Sequence, residues 1–191
     1  MRKSRQDAAE TRQRIVEAAS AEFRLNGIAG TGLTDLMAAA GLTHGGFYKH
    51  FESKDQVVEE SVTLAVESMM EAMKHTVSAS PGKRGFHAAI AAYLSMDHLD
   101  DASDGCPFVA LGSEVARSSD DVREATTAGF RKVVDLFASQ LDGMSRAAAR
   151  KEALLMLSTM IGAMTMARIV TDPDLAASIL REANKSLTRP S

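Results

Sequence analysis

Gly41-Leu42-Thr43-His44-Gly45-Gly46-Phe47-Tyr48-Lys49-His50-Phe51 reads as a turn, a helix cap and a short helix. Thr43 is placed as an N-cap, its hydroxyl accepting from a free N–H of the first turn. Phe47 and Phe51, four residues apart, share one helical face, and Leu42 can close over it from the turn. Gly45 and Lys49 lie opposite, flanked by Gly46 and Tyr48, with His44 at the helix mouth. Each glycine costs about 1 kcal/mol against alanine in a helix interior, so this helix does not stand alone. The aromatic pair must hold it, and its bare outer face lets something large come close.

The preceding segment supplies the holder. Leu33, Leu36, Met37 and Ala40 form an i, i+3, i+4, i+7 stripe, and Gly41 sits where a helix end takes a left-handed residue. Helix, glycine-containing turn and second helix make the helix-turn-helix pattern, whose second helix enters the major groove of DNA. An ordinary corner between two bundle helices has the same spacing.

Working outward, 191 residues make one large domain or two small ones. Hydrophobic content of 45%, charged content of 25% and only four prolines suit an all-α globular chain. A single cysteine excludes an intrachain disulfide and suits a reducing cytoplasm. The charged N-terminus lacks the apolar stretch of a signal peptide. The run from Leu154 to Val170 is interrupted by Ser158, Thr159, Thr165 and Arg168 and falls short of the about 20 apolar residues of a membrane span; a helix buried on two sides is expected, and no membrane partner. The net charge of −3 is unevenly spread: residues 1–54 hold eight Lys/Arg against six Asp/Glu, residues 55–191 fourteen against nineteen. A basic head on an acidic body fits a module that meets phosphate at one end.

Residues 1–6 read as a basic arm, followed by Asp7 and Glu10 as a capping-box pair. Ile15, Ala19 and Phe23 then share a stripe, and Asn26-Gly27 ends the helix. Ser53 caps a long helix with Gln56 at the reciprocal position; Val58, Val62, Ala65, Met69 and Met73 are its inward stripe, and Ser80-Pro81-Gly82 closes it. Residues 8–60 resemble the DNA-binding domain of the TetR/AcrR family of transcriptional repressors. The resemblance rests on Ile15 to Phe23, Gly27, Thr31, Ala39-Ala40-Gly41-Leu42-Thr43 and Gly46-Phe47-Tyr48-Lys49-His50-Phe51-Glu52-Ser53-Lys54. It implies an all-α fold of about nine helices. Residues 1–52 would be a three-helix DNA-binding domain with its recognition helix at about 43–50, and residues 53–191 a ligand-binding and dimerisation domain. The implied function is a homodimeric repressor on a palindromic double-stranded DNA operator, released by a small-molecule effector that the sequence does not identify, with no cofactor, metal or catalytic residue.

Within that resemblance, Thr43, Tyr48, His50 and Lys54 match phosphate-contacting positions, and Thr34 is a further candidate. Gly32 departs from the usual hydroxyl residue. His44, Gly45, Gly46 and Lys49 stand at base-reading positions; lysine reaches guanine acceptors and histidine can donate to N7 or O6. Arg5, in the arm, is placed in the minor groove. His50 has a second reading, a core-side histidine bonded to backbone.

Past Gly82, Phe86, Ile90, Tyr93 and Leu94 mark another helix, ending in an acidic loop from Asp97 to Gly105. Its oxygen donors lack the fixed spacing of a metal site, and a solvated loop is expected. Cys106-Pro107 opens the next helix with Cys106 as N-cap. A thiol there feels the helix dipole and can be acidified, and Gly105-Cys106-Pro107 resembles a TetR-like branch in which a cysteine senses electrophiles or oxidants. The other reading is a small buried residue lining a pocket. Met69, Met73, Tyr93, Met96, Cys106, Phe108, Phe130, Met160 and Met164 are the ligand candidates, since methionine suits an adaptable apolar cavity, although a methionine stripe is also ordinary core. Leu157, Met160, Ile161 and Met164 face the core, whereas Leu155, Thr159, Gly162 and Met166, with Ile179 of the last helix, make a flat face for a second copy. No nucleophile elbow, phosphate loop or zinc spacing points to an enzyme; a helical interaction protein without DNA binding is the remaining alternative.

Overall fold

The computed structural model describes residues 5–80 and 82–189, and these contain helices and no strand. Helix α1 spans Arg5–Asn26, α2 Leu33–Ala39, a 3-10 helix His44–Lys49, and α3 Lys54–Ser78. The body continues with α4 (Lys83–Tyr93), α5 (Met96–Asp100), α6 (Pro107–Val115), α7 (Asp120–Ala138), α8 (Arg146–Ile169) and α9 (Pro173–Leu187). Gly27 and Gly41 end α1 and α2 at φ 78° and 69°, the left-handed conformation that a side chain resists.

Two hydrophobic cores divide the chain, and α3 runs through both. The first gathers Ile15, Ala19 and Phe23 of α1, Leu36 and Met37 of α2, Phe47, Phe51, and Val57, Val58 and Val62 of α3. Leu111, Val115 and Val122 reach into it from α6 and α7. The second gathers Val66, Met70 and Met73 of α3 with Phe86, Ile90, Tyr93, Val133, Phe137, Leu157, Met160 and Met164. The head is therefore packed on the body through α6 as well as joined to it by α3.

Three expectations change, and a fourth is met in part. The recognition segment is a 3-10 helix, with Gly46 N–H on Thr43 O at 3.0 Å and His50 N–H on Phe47 O at 2.9 Å. Six residues containing two glycines, pinned at both ends by core contacts, take the tighter winding that short helices use. Arg5 and Gln6 are already helical, so Asp7 lies within α1 instead of capping it; Arg2 and Lys3 of the expected arm lie outside the described residues. The acidic loop contains α5, capped by Ser95, whose hydroxyl accepts from His98 N–H. Finally, α8 is buried on one side within the chain. By length and composition alone it could cross a membrane, but Met156, Leu157, Met160 and Met164 are body core while Leu155, Met166 and Ile169 are exposed.

Candidate nucleic-acid interface and ligand cavity

Phe47 is fully buried, Phe51 is 2% exposed, and their rings stack at 5.6 Å. This fixes which side of the 3-10 helix faces out: Thr43, His44, Gly45, Tyr48 and Lys49 are exposed, with Gly46 and His50 half-buried. Tyr48 is 69% exposed, its ring edge-on to Phe47 at 5.2 Å, so its hydroxyl is carried on a rigid mount. Thr43 sits at the N-cap position, but its side chain makes no cap bond, leaving the hydroxyl to an outside partner. A Cβ at Gly45 would meet nothing within 4 Å, and one at Gly46 would stand 3.4 Å from the flexible end of Met37. Packing from within does not demand Gly45; a bare outer surface is what it supplies. Thr34 is exposed at the start of α2, and Arg5 is exposed at the start of α1.

Lys54 is turned inward. Its ammonium donates to Ile28 O at 2.5 Å and Thr31 O at 2.6 Å, and lies 5.8 Å from the centre of the Phe23 ring. Two of its three donors thus tie the α1–α2 loop to α3, a structural job in place of the expected phosphate contact. Sequence reasoning missed Arg12, which makes a forked pair with Glu60 of α3, donates to His50 O at 3.3 Å and stacks its guanidinium 4.3 Å over Phe51. The paired Glu60 carboxylate pushes its already high pKa further up. Arg12 thereby locks α1, the recognition segment and α3 together. The capping expectation at Ser53 is met: its hydroxyl accepts from Gln56 N–H, while Gln56 Oε1 accepts from Glu52 N–H.

In the body, Met69, Met73 and Tyr93 line a cavity of about 190 Å³ with Ala89, His98 and Asp104. The same three residues wall a recess of about 10 Å³ that Cys106, Phe108 and Met160 complete. Phe130 packs edge-on to Phe108 at 5.4 Å and lines an open groove between α6 and α7 instead. Met96 is 38% exposed and Met164 is fully buried core; neither lines the cavity or its recess. A larger trough of about 560 Å³, with charged side chains of α3 and α7 on its walls, is open surface.

Cys106 occupies the expected N-cap position, but it is 1% exposed, and burial pushes its thiol pKa up. Burial opposes the acidified, accessible thiol that sensing requires, and Cys106 lines the recess instead. Burial likewise raises the Tyr93 phenol and, with the Arg168 charge, lowers the His98 imidazole. His98 Nε2 is buried without a hydrogen-bond partner, and the Tyr93 hydroxyl is buried with the Cys106 thiol as its polar neighbour. Among the described residues no group of three His, Cys, Asp or Glu could hold a metal ion.

Two links join cavity to head. Arg24 of α1, its side chain 7% exposed, donates to Ser103 O at 2.8 Å and pairs with Asp104 at 3.5 Å. From α6, the Glu114 carboxylate accepts Ile28 N–H at 3.0 Å and Ala29 N–H at 2.8 Å.

On α8, Leu155 is 60% exposed, Met166 49% and Ile169 65%. Gly162 is also exposed, a Cβ there meeting nothing within 4 Å. Thr159 and, on α9, Ile179 are half-buried beside this face.

A head of one long and two short helices around buried phenylalanines, carried on a helical body with a small cavity, is the architecture of a one-component transcriptional regulator. Residues 15–61 match the family described as "Bacterial regulatory proteins, tetR family", and residues 63–175 match "Transcriptional regulator LmrA/YxaF-like, C-terminal domain". The chain belongs to the TetR family of bacterial transcriptional regulators. It is 36% identical over 80 residues to the HTH-type transcriptional regulator TtgR of Pseudomonas putida, a stretch covering 42% of this chain and 36% of that protein. Thus the match to TtgR spans about a third of its length. It is 26% identical over 156 residues to the regulator LmrA of Bacillus subtilis, covering 80% and 82% of the two chains. A TetR regulator from Chloroflexus aurantiacus superposes with a TM-score of 0.76 at 27% identity, covering 96% of this chain and 94% of that one.

Proposed function

We propose that the protein is a homodimeric repressor that binds a palindromic operator through the 3-10 helix and leaves it when a small molecule enters the body. Residues 1–52 carry DNA binding, and residues 53–191 carry ligand binding and dimerisation. The observation that supports this most directly is the outward set Thr43, His44, Gly45, Tyr48 and Lys49, held rigid by Phe47 and Phe51. His44 and Lys49 read base edges, Gly45 and Gly46 let backbone approach, and Thr34, Thr43, Tyr48 and Arg5 hold phosphate or sugar. His50, whose carbonyl is tied to Arg12, stands at the edge of this surface. The α8 stripe of Leu155, Gly162 and Met166, with Thr159 and Ile179, packs on its copy, and the two recognition segments then stand one DNA turn apart, roughly 34–36 Å.

An effector that binds only a mis-spaced arrangement lowers operator affinity by its differential binding energy. The route runs from the cavity through Arg24 and Glu114 to the α1–α2 loop. Nothing in the site calls for catalysis, and a regulator that works on the chromosome resides in the cytoplasm. The test is to select genomic fragments on the purified protein and measure mass in solution. Capture of a palindromic sequence by a dimer is expected; a monomer indifferent to every duplex at low salt refutes the reading.

A further inference from the structure

Arg12 of α1 directs its donors to two partners far along the chain. Its fork meets the Glu60 carboxylate of α3, and its Nε donates to His50 O at 3.3 Å. The flat face of the guanidinium covers the Phe51 ring at 4.3 Å. His50 closes the 3-10 helix, its own N–H on Phe47 O at 2.9 Å. It is thus held by both its N–H and its carbonyl. Lys49, the exposed residue placed above at the base edges, comes one position earlier.

The recognition segment cannot set this pose alone. It winds for six residues, and two of them are glycine, which gains little from a helical backbone. The stacked Phe47 and Phe51 rings fix which side faces the core. Apolar packing is non-directional, however, and leaves the tilt and slide of so short a helix open. A planar guanidinium forked on a carboxylate is directional, and a binding constellation has to be held to within about 0.5 Å. Charge alone argues the other way. Arg12 by itself reads as a phosphate contact, and a carboxylate on the head opposes binding to a polyanion. Yet the Arg12 side chain is only 34% exposed, and its Nε, Nη1 and Nη2 all find acceptors within the head.

We propose that Arg12 and Glu60 are a positioning pair for operator recognition. Held by the carboxylate, the guanidinium fixes His50 O and with it the aim of Lys49, so sequence discrimination depends on an acidic side chain that touches no DNA. This rests on the DNA-binding reading above and adds to it two residues that contact neither base nor phosphate. The full wild-type chain selects a duplex from a random-sequence library. Its affinity for that duplex and for a scrambled one of equal length and composition is measured across a salt series. The variants are Glu60→Gln, which keeps the shape and removes the charge, and Arg12→Met combined with Glu60→Gln, which leaves the net charge unchanged. One good base contact is worth roughly 5- to 150-fold in discrimination. The double variant should therefore lose at least about tenfold, and Glu60→Gln at least about threefold. Scrambled-duplex binding should be equal or tighter in Glu60→Gln, and should keep its wild-type affinity and salt slope in the double variant. A partly unfolded head would instead lose both duplexes together, and thermal melts verify that each variant is folded at the assay temperature. Discrimination retained in both variants overturns the proposal, as does parallel loss on both duplexes. A salt slope lower by about one in the double variant also overturns it, by making Arg12 a phosphate contact. If wild type selects no duplex, the DNA-binding reading fails and the pair with it; if the variants read the selected duplex as well as wild type does, the pair alone fails.

Discussion

Replacing Glu114 by glutamine cuts the link between α6 and the head without removing bulk. The carboxylate accepts two backbone N–H groups, from Ile28 at 3.0 Å and Ala29 at 2.8 Å. Hydrogen bonds to a charged group are worth about 1.5–3 kcal/mol each. Glutamine keeps one acceptor oxygen and turns an NH₂ donor toward the other N–H, so one charged bond is lost. Because Glu114 is half-exposed, the lower end applies, about 1.5 kcal/mol, which is slightly more than tenfold in the local opening equilibrium. Amide exchange followed by NMR should accelerate about tenfold at Ile28 and Ala29 in Glu114→Gln. It should stay unchanged at Gly27, whose N–H is bonded to Phe23 O inside the head, and at Val133 in the body core. The effector-driven drop in operator affinity should shrink alongside. Unaltered exchange at Ile28 and Ala29, or equal acceleration at Val133, refutes the reasoning: the first denies the clamp, the second reduces it to global stability.

Lys54→Met should destabilise the fold by about 2 kcal/mol through two lost carbonyl contacts, yet leave the salt dependence of operator binding unchanged; a slope reduced by about one would return Lys54 to the phosphate contacts. His44→Ala should relax base preference at one operator position by about 1–3 kcal/mol, read by comparing the sequences selected by each protein. Cys106 should resist a thiol-specific reagent in the native chain and react on unfolding, so fast native labelling would revive the sensor reading. Since His98 has a depressed pKa in the fold, the unfolded chain takes up a proton first as pH drops below the ordinary imidazole value of about 6.5. Stability contributed by the neutral form is therefore present above that value and lost as pH falls through it. The melting temperature of wild type should fall more between pH 7.5 and 5.5 than that of His98→Gln, and parallel curves would remove His98 as the cause.

Local chemistry made the head legible. Gly27 and Gly41 must terminate helices, Ser53 must cap one, and Phe47 with Phe51 must face inward, because each depends on residues within one turn. What sequence hid depends on partners far along the chain. Lys54 turns inward because Ile28 and Thr31, 26 and 23 residues earlier, present carbonyls to it. Arg24 meets Ser103 across 79 residues, so the acidic stretch, read as solvated loop, is an anchored wall. Winding of the recognition segment also escaped prediction: six residues hold too few periods to separate 3-10 from α, and the core contacts at each end decide. In the cavity, the methionines and Tyr93 followed from helical spacing. His98 did not, because α5 had to fold before its ring could lie beside Tyr93.

One guanidinium has an evolutionary consequence. Arg24 belongs to the DNA-reading head, yet it is held by the segment that rims the cavity. Substitutions among residues 101–104 that retune ligand choice will therefore also shift the resting grip on DNA, and selection must satisfy both traits together. Drift at Ala72, Ala89 or Met69 carries no such tie, so new chemical preferences should arise there first.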